Sequence, residues 1–186
     1  MAEFLQYISE VKKNGSTVAF HQLVKLFEYQ VFTMCLRIIG NREEAEEAAQ
    51  DVFLKCYRNI DKLKDPEKFP QWLLKIAYSK SIDYVRRKKM QKVNIEDVKE
   101  IEGDVNERSV PGNLNNSEVL EAALTRLDPE NKAIINLYYQ ENMSVKEIAQ
   151  LMEWTESNVK IRLHRSRGEI RRMIEAKSDI KREEEN

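Results

Sequence analysis

Residues 144–167, SVKEIAQLMEWTESNVKIRLHRSR, contain the pattern that decides the fold of the second half of this 186-residue chain. Ser144 and Glu147 form a capping box ahead of a helix of about eight residues. Glu153 and Trp154 make a short turn, and Thr155 can cap a longer, basic helix. A short helix, a tight turn and a longer basic helix predict a helix-turn-helix, whose second helix can enter the major groove of DNA.

The basic helix has two distinct faces when its residues are spaced at about 100°. Val159, Leu163, Ser166 and Ile170 form the packing side. Residues 155–172 hold six Lys or Arg residues and two acids, and this excess favours DNA binding, whereas a single surface arginine is usually only solvated. The face assigned to DNA consists of Ser157, Lys160, Ile161, His164, Arg165 and Arg172, and Arg162 and Arg167 flank it in positions suited to phosphate contacts.

The turn of this motif departs from a common rule. Many such turns carry Gly where this chain has Glu153. We therefore expect either a slightly different turn or a strained backbone at Glu153.

The whole chain is predicted to be all-α, with two small helical domains joined by a flexible linker. Apolar residues recur at 3- and 4-residue spacing, and the chain has only five Gly and four Pro. Residues 75–92 carry seven bases and one acid, whereas 93–117 carry six acids and two bases, so the two stretches have different tasks. The predicted division is a first unit at 1–92, a linker at 93–115, a second unit at 116–176 and a charged tail at 177–186.

The overall composition gives little direct evidence for a partner, a cofactor or an enzymatic activity. The net charge of −1 by itself indicates neither a nucleic-acid nor a membrane partner. Without an apolar run of roughly 20 residues or a secretory leader, we expect a cytoplasmic protein. Cys35 and Cys56 fall on apolar stripes and are expected to be buried, reduced thiols. His21 and His164 lack ligand-like partners, so no metal or cofactor is expected, and no catalytic constellation indicates an enzyme.

An acidic helix is predicted within residues 41–55, NREEAEEAAQDVFLK. Its first acids suit the positive N-terminal end of a helix. That explanation does not cover Leu54, an apolar residue centred on the acidic stripe, and such a residue indicates a small protein-binding patch. The stripe, opposite the inward Ala45, Ala49 and Val52, consists of Glu43, Glu47, Gln50, Asp51 and Leu54 and is continued by Arg58. The predicted polymerase contacts on it are Glu47, Gln50, Asp51, Leu54 and Arg58.

Three blocks of the chain resemble bacterial RNA polymerase sigma factors of the extracytoplasmic-function (ECF) group. They are GNREEAEEAAQDVFLKCYRNI at 40–60, FPQWLLKIAYSKSIDYVRRKK at 69–89 and LTRLDPENKAIINLYYQENMSVKEIAQLMEWTESNVKIRLHRSR at 124–167. The resemblance implies that 1–92 is sigma region 2, which melts the −10 promoter element, and that 116–176 is region 4, which reads the −35 element. It also implies three partners: promoter DNA, core RNA polymerase and an anti-sigma factor, often membrane-anchored. On core polymerase, the β′ clamp helices would hold the acidic stripe, and the β flap would be a further contact.

The family's strand-opening surface falls on the loop at 59–71 and the helix that follows. An unstacked base needs a pocket with polar edges, and the separated strand needs positive charge nearby. Ser79 stands where the family usually has Asn, and Ile161 where it often has Ser, so base preference at these positions is expected to differ. The implied −10 contacts are Asp61, Lys62, Lys64 and Asp65 in the loop, and Lys75, Ser79, Lys80, Arg86 and Arg87 along the strand path.

Two other functions fit parts of the pattern. A stand-alone helix-turn-helix regulator would bind duplex DNA without joining the polymerase, but it would not need the acidic helix with its exposed Leu54. A helical interaction protein could keep the fold without using promoters. Transcription that survives neutral substitutions at Lys160 and Arg165 would favour that second alternative.

Overall fold

The computed structural model describes the backbone of residues 3–96 and 116–184. Within these ranges the chain has eight α-helices, two 3-10 turns and no β-strand, which confirms the all-α prediction. Of the predicted linker, 93–96 belong to the end of a helix and 97–115 lie outside the described residues. The elements are α1 (Glu3–Asn14), α2 (Thr17–Ile39), α3 (Arg42–Asn59), 3-10 turns at Ile60–Lys62 and Pro66–Lys68, α4 (Phe69–Glu96), α5 (Asn116–Arg126), α6 (Pro129–Tyr139), α7 (Val145–Met152) and α8 (Glu156–Glu184).

Side-chain caps fix the boundaries of the early helices. Ser16 Oγ accepts a hydrogen bond from the Ala19 amide at the start of α2. Gly40 ends α2 in the left-handed region, with φ 81°, and Asn41 then accepts from the Glu44 amide to begin α3. The reversal between α2 and α3 therefore depends on a Gly and an Asn placed side by side.

The first unit packs α1, α3 and α4 around α2. Phe69 is completely buried, and its ring contacts those of Phe4 and Phe27. Cys35 and Cys56 are buried as predicted. Burial raises the pKa of Cys35 to about 11 and that of Cys56 to about 12, so both thiols stay protonated at neutral pH.

The second unit contains the helix-turn-helix that the sequence predicts. Asp128 caps α6, and Ser144 and Glu147 form the full capping box of α7. Glu153 ends α7 in the left-handed region at φ 60°, so the chain accepts a strained backbone where Gly is common. Thr155 accepts a hydrogen bond from the Asn158 amide at the start of α8.

Two helices are longer than predicted. Helix α4 spans Phe69–Glu96 and α8 ends at Glu184, so each continues beyond the predicted end of its unit, at 92 and 176 respectively. The C-terminal extensions of both helices contain neither Gly nor Pro. A helix can continue through such a segment even where no apolar stripe marks it.

Gly40 and Gly168 form a matched pair for a test of these turns. In Gly40→Ala the new Cβ meets no atom within 4 Å, so only the positive φ opposes it, and we expect a loss of roughly 1–2 kcal/mol of unfolding free energy. In Gly168→Ala, inside α8 and equally unobstructed, we expect a gain of roughly 0.5–1 kcal/mol. Denaturant unfolding of both variants measures this, and a stabilising Gly40→Ala would contradict the turn.

Candidate nucleic-acid and protein interfaces

The outer face of α8 presents polar and basic side chains to solvent. Val159, Leu163 and Ser166 are buried against the rest of the second unit. Ile161 is 49% exposed although it is apolar, and it lies among the basic residues. The residues exposed on this face are Ser157, Lys160, Ile161, His164, Arg165 and Arg172, as the sequence predicts.

Arg162 has a different environment from the exposed flank that the sequence predicts. Its guanidinium pairs with Glu130 at 3.2 Å and donates to Asn131 Oδ1 at 3.2 Å. The same group lies over the Trp154 ring, 4.5 Å from its centroid. Arg162 therefore joins α6 to α8, and a phosphate contact would compete with this network.

Arg167 lies against two tyrosines. Its Nε donates to the Tyr139 hydroxyl at 2.7 Å, and its guanidinium lies over the rings of Tyr138 and Tyr139. The residue is nevertheless exposed, so the guanidinium is held in one direction while still open to solvent. A phosphate contact by Arg167 is compatible with this position.

The loop between α3 and α4 exposes three of its four predicted contacts, namely Asp61, Lys62 and Lys64. Asp65 instead accepts from the Glu67 amide at 3.1 Å and caps the second 3-10 turn. Its side chain therefore shapes the loop, which the sequence reasoning did not foresee.

Three contacts, each about one helical turn from the next, join the acidic helix α3 to α4. Lys80 Nζ pairs with Asp51 at 3.0 Å, and one turn further on the Tyr84 hydroxyl donates to Glu47 at 3.4 Å. A further turn on, Lys88 pairs with Glu44. Lys80 therefore lies against α3, whereas the sequence placed it on the strand path.

The stripe around Leu54 is solvent-accessible. Leu54 is 54% exposed, and Glu47, Gln50 and Arg58 are exposed around it. Ala45 and Val52 on the opposite face of α3 are completely buried. The predicted inward and outward faces of α3 are thus confirmed, although Asp51 shares its charge with Lys80.

The two units touch through charged groups that the sequence analysis assigned to DNA. Lys75 on α4 pairs with Glu153 after α7 at 2.7 Å. Arg86 lies 3.7 Å from Glu130, the carboxylate that also pairs with Arg162. Two of the predicted strand-path residues are therefore engaged by the second unit. Of the remaining three, Lys80 pairs with Asp51 on α3, Ser79 is half-buried, and Arg87 is exposed with its guanidinium over the Tyr84 ring.

Further contacts across the same boundary were missed by sequence reasoning. Gln71 donates to Glu147 at 2.7 Å, and Arg37 donates to Asn136 at 2.5 Å. Burial, together with the charge of Glu130, raises the pKa of Tyr78 to about 12, so its hydroxyl is neutral at this boundary. No local periodicity marks these residues, because each partner lies on a distant helix.

The described residues contain no cluster of three or more His, Cys, Asp or Glu side chains suited to a metal. Among the helices at 3–96 and 116–184, none is both long and apolar enough to cross a bilayer.

Comparison with known proteins identifies the class. The family described as Sigma-70 region 2 matches residues 23–90, and the family described as Sigma-70, region 4 matches 117–170. The ECF RNA polymerase sigma factor SigW of Bacillus subtilis is 30% identical over 177 residues, covering 90% of this chain and 94% of SigW. The ECF sigma-E factor of Escherichia coli K12 is 27% identical over 175 residues, covering 89% and 91%.

Solved structures show the same fold. CnrH in complex with the cytosolic domain of CnrY aligns at a TM-score of 0.66 and 19% identity, over 94% of this chain and 99% of that one. RpoE of Bartonella quintana, in complex with the anti-sigma factor NepR, aligns at 0.66 and 20% identity, over 84% and 96%. The chain belongs to the ECF group of RNA polymerase sigma factors.

The contact between the two units should depend in part on Glu130 and Glu153. We expect the double variant Glu130→Gln, Glu153→Gln to remove both carboxylates that engage Lys75 and Arg86 and so to shift part of the population to separated units. A larger radius of gyration by small-angle X-ray scattering measures this. Glu156→Gln, an exposed acid of α8, is the matched control and should leave the radius unchanged.

Lowering the pH should also weaken the contact between the two units. The hydrogen bond from Lys75 lowers the pKa of Glu153, so its carboxylate stays charged at neutral pH. A carboxylate with a lowered pKa stabilises the contact above its ordinary pKa, and this contribution is lost as the pH falls through the lowered value. An unchanged radius in the double variant would mean that the remaining contacts, among them Gln71 with Glu147 and Arg37 with Asn136, hold the units together.

Proposed function

We propose that this chain is the dissociable subunit that brings core RNA polymerase to a promoter and nucleates opening of the −10 element. In this role it is not an enzyme itself and works in the cytoplasm. Region 4 reads the −35 element through the outer face of α8, and region 2 captures unpaired bases with the loop that precedes α4. The observation that carries the proposal is the cluster of Lys160, Ile161, His164 and Arg165, exposed together on the second helix of a helix-turn-helix.

Promoter reading requires the two units to separate. Elements about 25 base pairs apart lie roughly 85 Å apart along a duplex that rises about 3.4 Å per base pair. In the structure α4 contacts both α6 and α7. Lys75 and Arg86, now held by acids of the second unit, would become available to the DNA strand in the separated form.

The polymerase-binding surface in this proposal is the Leu54 stripe on α3. An exposed Leu among Glu47, Gln50 and Arg58 offers an apolar centre with a charged rim, which is the usual anatomy of a small protein interface. We propose that the β′ clamp helices occupy this stripe.

A groove formed by the second unit and Arg37 of α2 suits a helical protein partner. It has a volume of about 720 Å³, and its lining is mostly apolar but includes three arginines and two glutamates. We propose that an anti-sigma factor or the β flap places an amphipathic helix with acidic residues here. The groove is lined by Arg37, Leu124, Ile135, Tyr139, Arg167 and Ile170, among others.

The direct test of the proposal is run-off transcription with purified core polymerase and a pool of promoter fragments. The proposal predicts co-elution of the chain with core and transcripts that begin at defined positions on a subset of the pool. The selected fragment then supplies the cognate −10 and −35 sequences. Failure both to co-elute and to initiate would refute the proposal.

Substitutions on α8 test reading of the −35 element. Lys160→Ala with Arg165→Ala removes two donors for base edges, each worth about 1–3 kcal/mol, so we expect at least a tenfold loss of affinity for the cognate −35 duplex. Arg126→Ala, an exposed arginine of α5, is the matched control. Equal transcription by the double variant and the control would favour an interaction protein that no longer uses promoters.

Substitution of Leu54 tests whether the Leu54 stripe binds core polymerase. We expect Leu54→Ala to weaken core binding about tenfold, because truncating a central apolar residue of a small interface typically costs more than 1 kcal/mol. Thermal unfolding should be unchanged, since Leu54 is largely exposed. Lys55→Ala, the exposed neighbour, serves as control, and unimpaired core binding by Leu54→Ala would show that core polymerase binds a surface other than the Leu54 stripe. Leu54 is a better target than Asp51, because a change at Asp51 would also break its pair with Lys80.

A further inference from the structure

Helix α1 lies outside the part of the chain that matches sigma region 2, which begins at residue 23. It is nevertheless packed firmly into the first unit, with Ile8 completely buried and Val11 4% exposed. Its contacts include both 3-10 turns of the loop that joins α3 to α4. The helix therefore supports the segment to which base capture is assigned above.

Lys12 makes the central contact between α1 and this loop. Its Nζ donates a 2.6 Å hydrogen bond to the backbone carbonyl of Leu63, in a partly buried setting. Leu63 lies between the two 3-10 turns and is itself 5% exposed. An ammonium group that bonds to a loop carbonyl fixes the backbone there, and the exposed neighbours Lys62 and Lys64 are fixed with it.

Two aromatic contacts hold the ends of the same segment. On the α3 side, the Tyr57 hydroxyl donates to the carbonyl of Gly15, which follows α1, at 3.0 Å. On the α4 side, the Phe4 ring stacks on Phe69 with centroids 6.2 Å apart. The loop is thus attached to α1 near its start, at its middle and at its end.

We propose that α1 holds the loop in the conformation that captures unpaired −10 bases, and that Lys12 is a positioning residue for promoter melting. This proposal rests on the function proposed above. The physical reason is preorganisation: a loop that is already ordered loses less conformational entropy when a base enters it. Lys12 does not contact the base, and it acts through the backbone of Leu63.

The test compares Lys12→Met with Lys13→Met in holoenzyme assembled from core polymerase and the full chain. Methionine keeps most of the apolar stem and removes the donor, and Lys13 is exposed on the same helix. Three probes are used: the single-stranded non-template −10 sequence of the promoter fragment selected above, the same strand with each −10 base replaced by an abasic site, and the −35 duplex. Lys12→Arg and Tyr57→Phe complete the set.

We expect Lys12→Met to weaken binding of the −10 strand by about tenfold, the size expected for one lost charge-assisted hydrogen bond. The preference for the intact strand over the abasic strands should fall with it, while core and −35 affinities stay unchanged. Lys13→Met should behave as the unmodified protein. Lys12→Arg should restore most of the binding, and Tyr57→Phe should show a smaller loss on the −10 strand alone.

Several outcomes would overturn the proposal. Equal binding by Lys12→Met and Lys13→Met would show that the loop does not need the contact. A loss of equal size on all probes, or a loss without reduced discrimination against abasic strands, would reduce Lys12 to a general stabilising residue. Failure of the proposed function is distinguishable, because the unmodified holoenzyme would then neither initiate nor bind the −10 strand.

Discussion

The packing of α2 against α1, α3 and α4 is the constraint on which both functional surfaces of the first unit depend. Because Ala45 and Val52 are buried in this packing, the opposite face of α3, with Leu54 at its centre, must face solvent. Phe27 of α2 contacts Phe69, with centroids 5.3 Å apart, and this contact fixes the start of α4 and the end of the loop. Helix α2 therefore orients both the candidate polymerase-binding surface, which is the Leu54 stripe, and the candidate base-capturing loop.

The boundary between the two units combines buried and exposed contacts. Asn136, which accepts a hydrogen bond from Arg37, is buried, whereas the ion pairs of Lys75 with Glu153 and of Arg86 with Glu130 join exposed or half-exposed side chains. Exposed pairs of this kind contribute about 0–1 kcal/mol each and weaken with salt. Promoter phosphates can replace the carboxylates as partners of the same basic groups. An interface of this kind suits a protein that opens when it binds.

Local sequence signals predicted much of this fold. The caps at Ser144 and Thr155 lie where the residue types place them, since a cap needs only its own turn of helix. The inward and outward faces of α3 and α8 also follow from the 3.6-residue period. The strained Glu153 could be anticipated because it stands where Gly is common.

Side-chain partners could not be predicted in the same way. Arg162 and Lys80 have the charge of a DNA contact, yet each pairs with an acid on another helix. Asp65 has the polarity of a base contact but caps its own turn. Lys75 and Glu153 are 78 residues apart in the chain, and no periodicity within either helix encodes their contact. The DNA-contact roles of the exposed residues stay predictions.

The most direct test of the account is footprinting of the assembled holoenzyme on the selected promoter, combined with permanganate probing of unpaired thymines. We expect two protected patches separated by roughly 25 base pairs, because one chain carries both DNA-binding units. Permanganate reactivity should appear only in the downstream patch. A single protected patch with no unpaired thymines would contradict the account and indicate a regulator that binds duplex DNA alone.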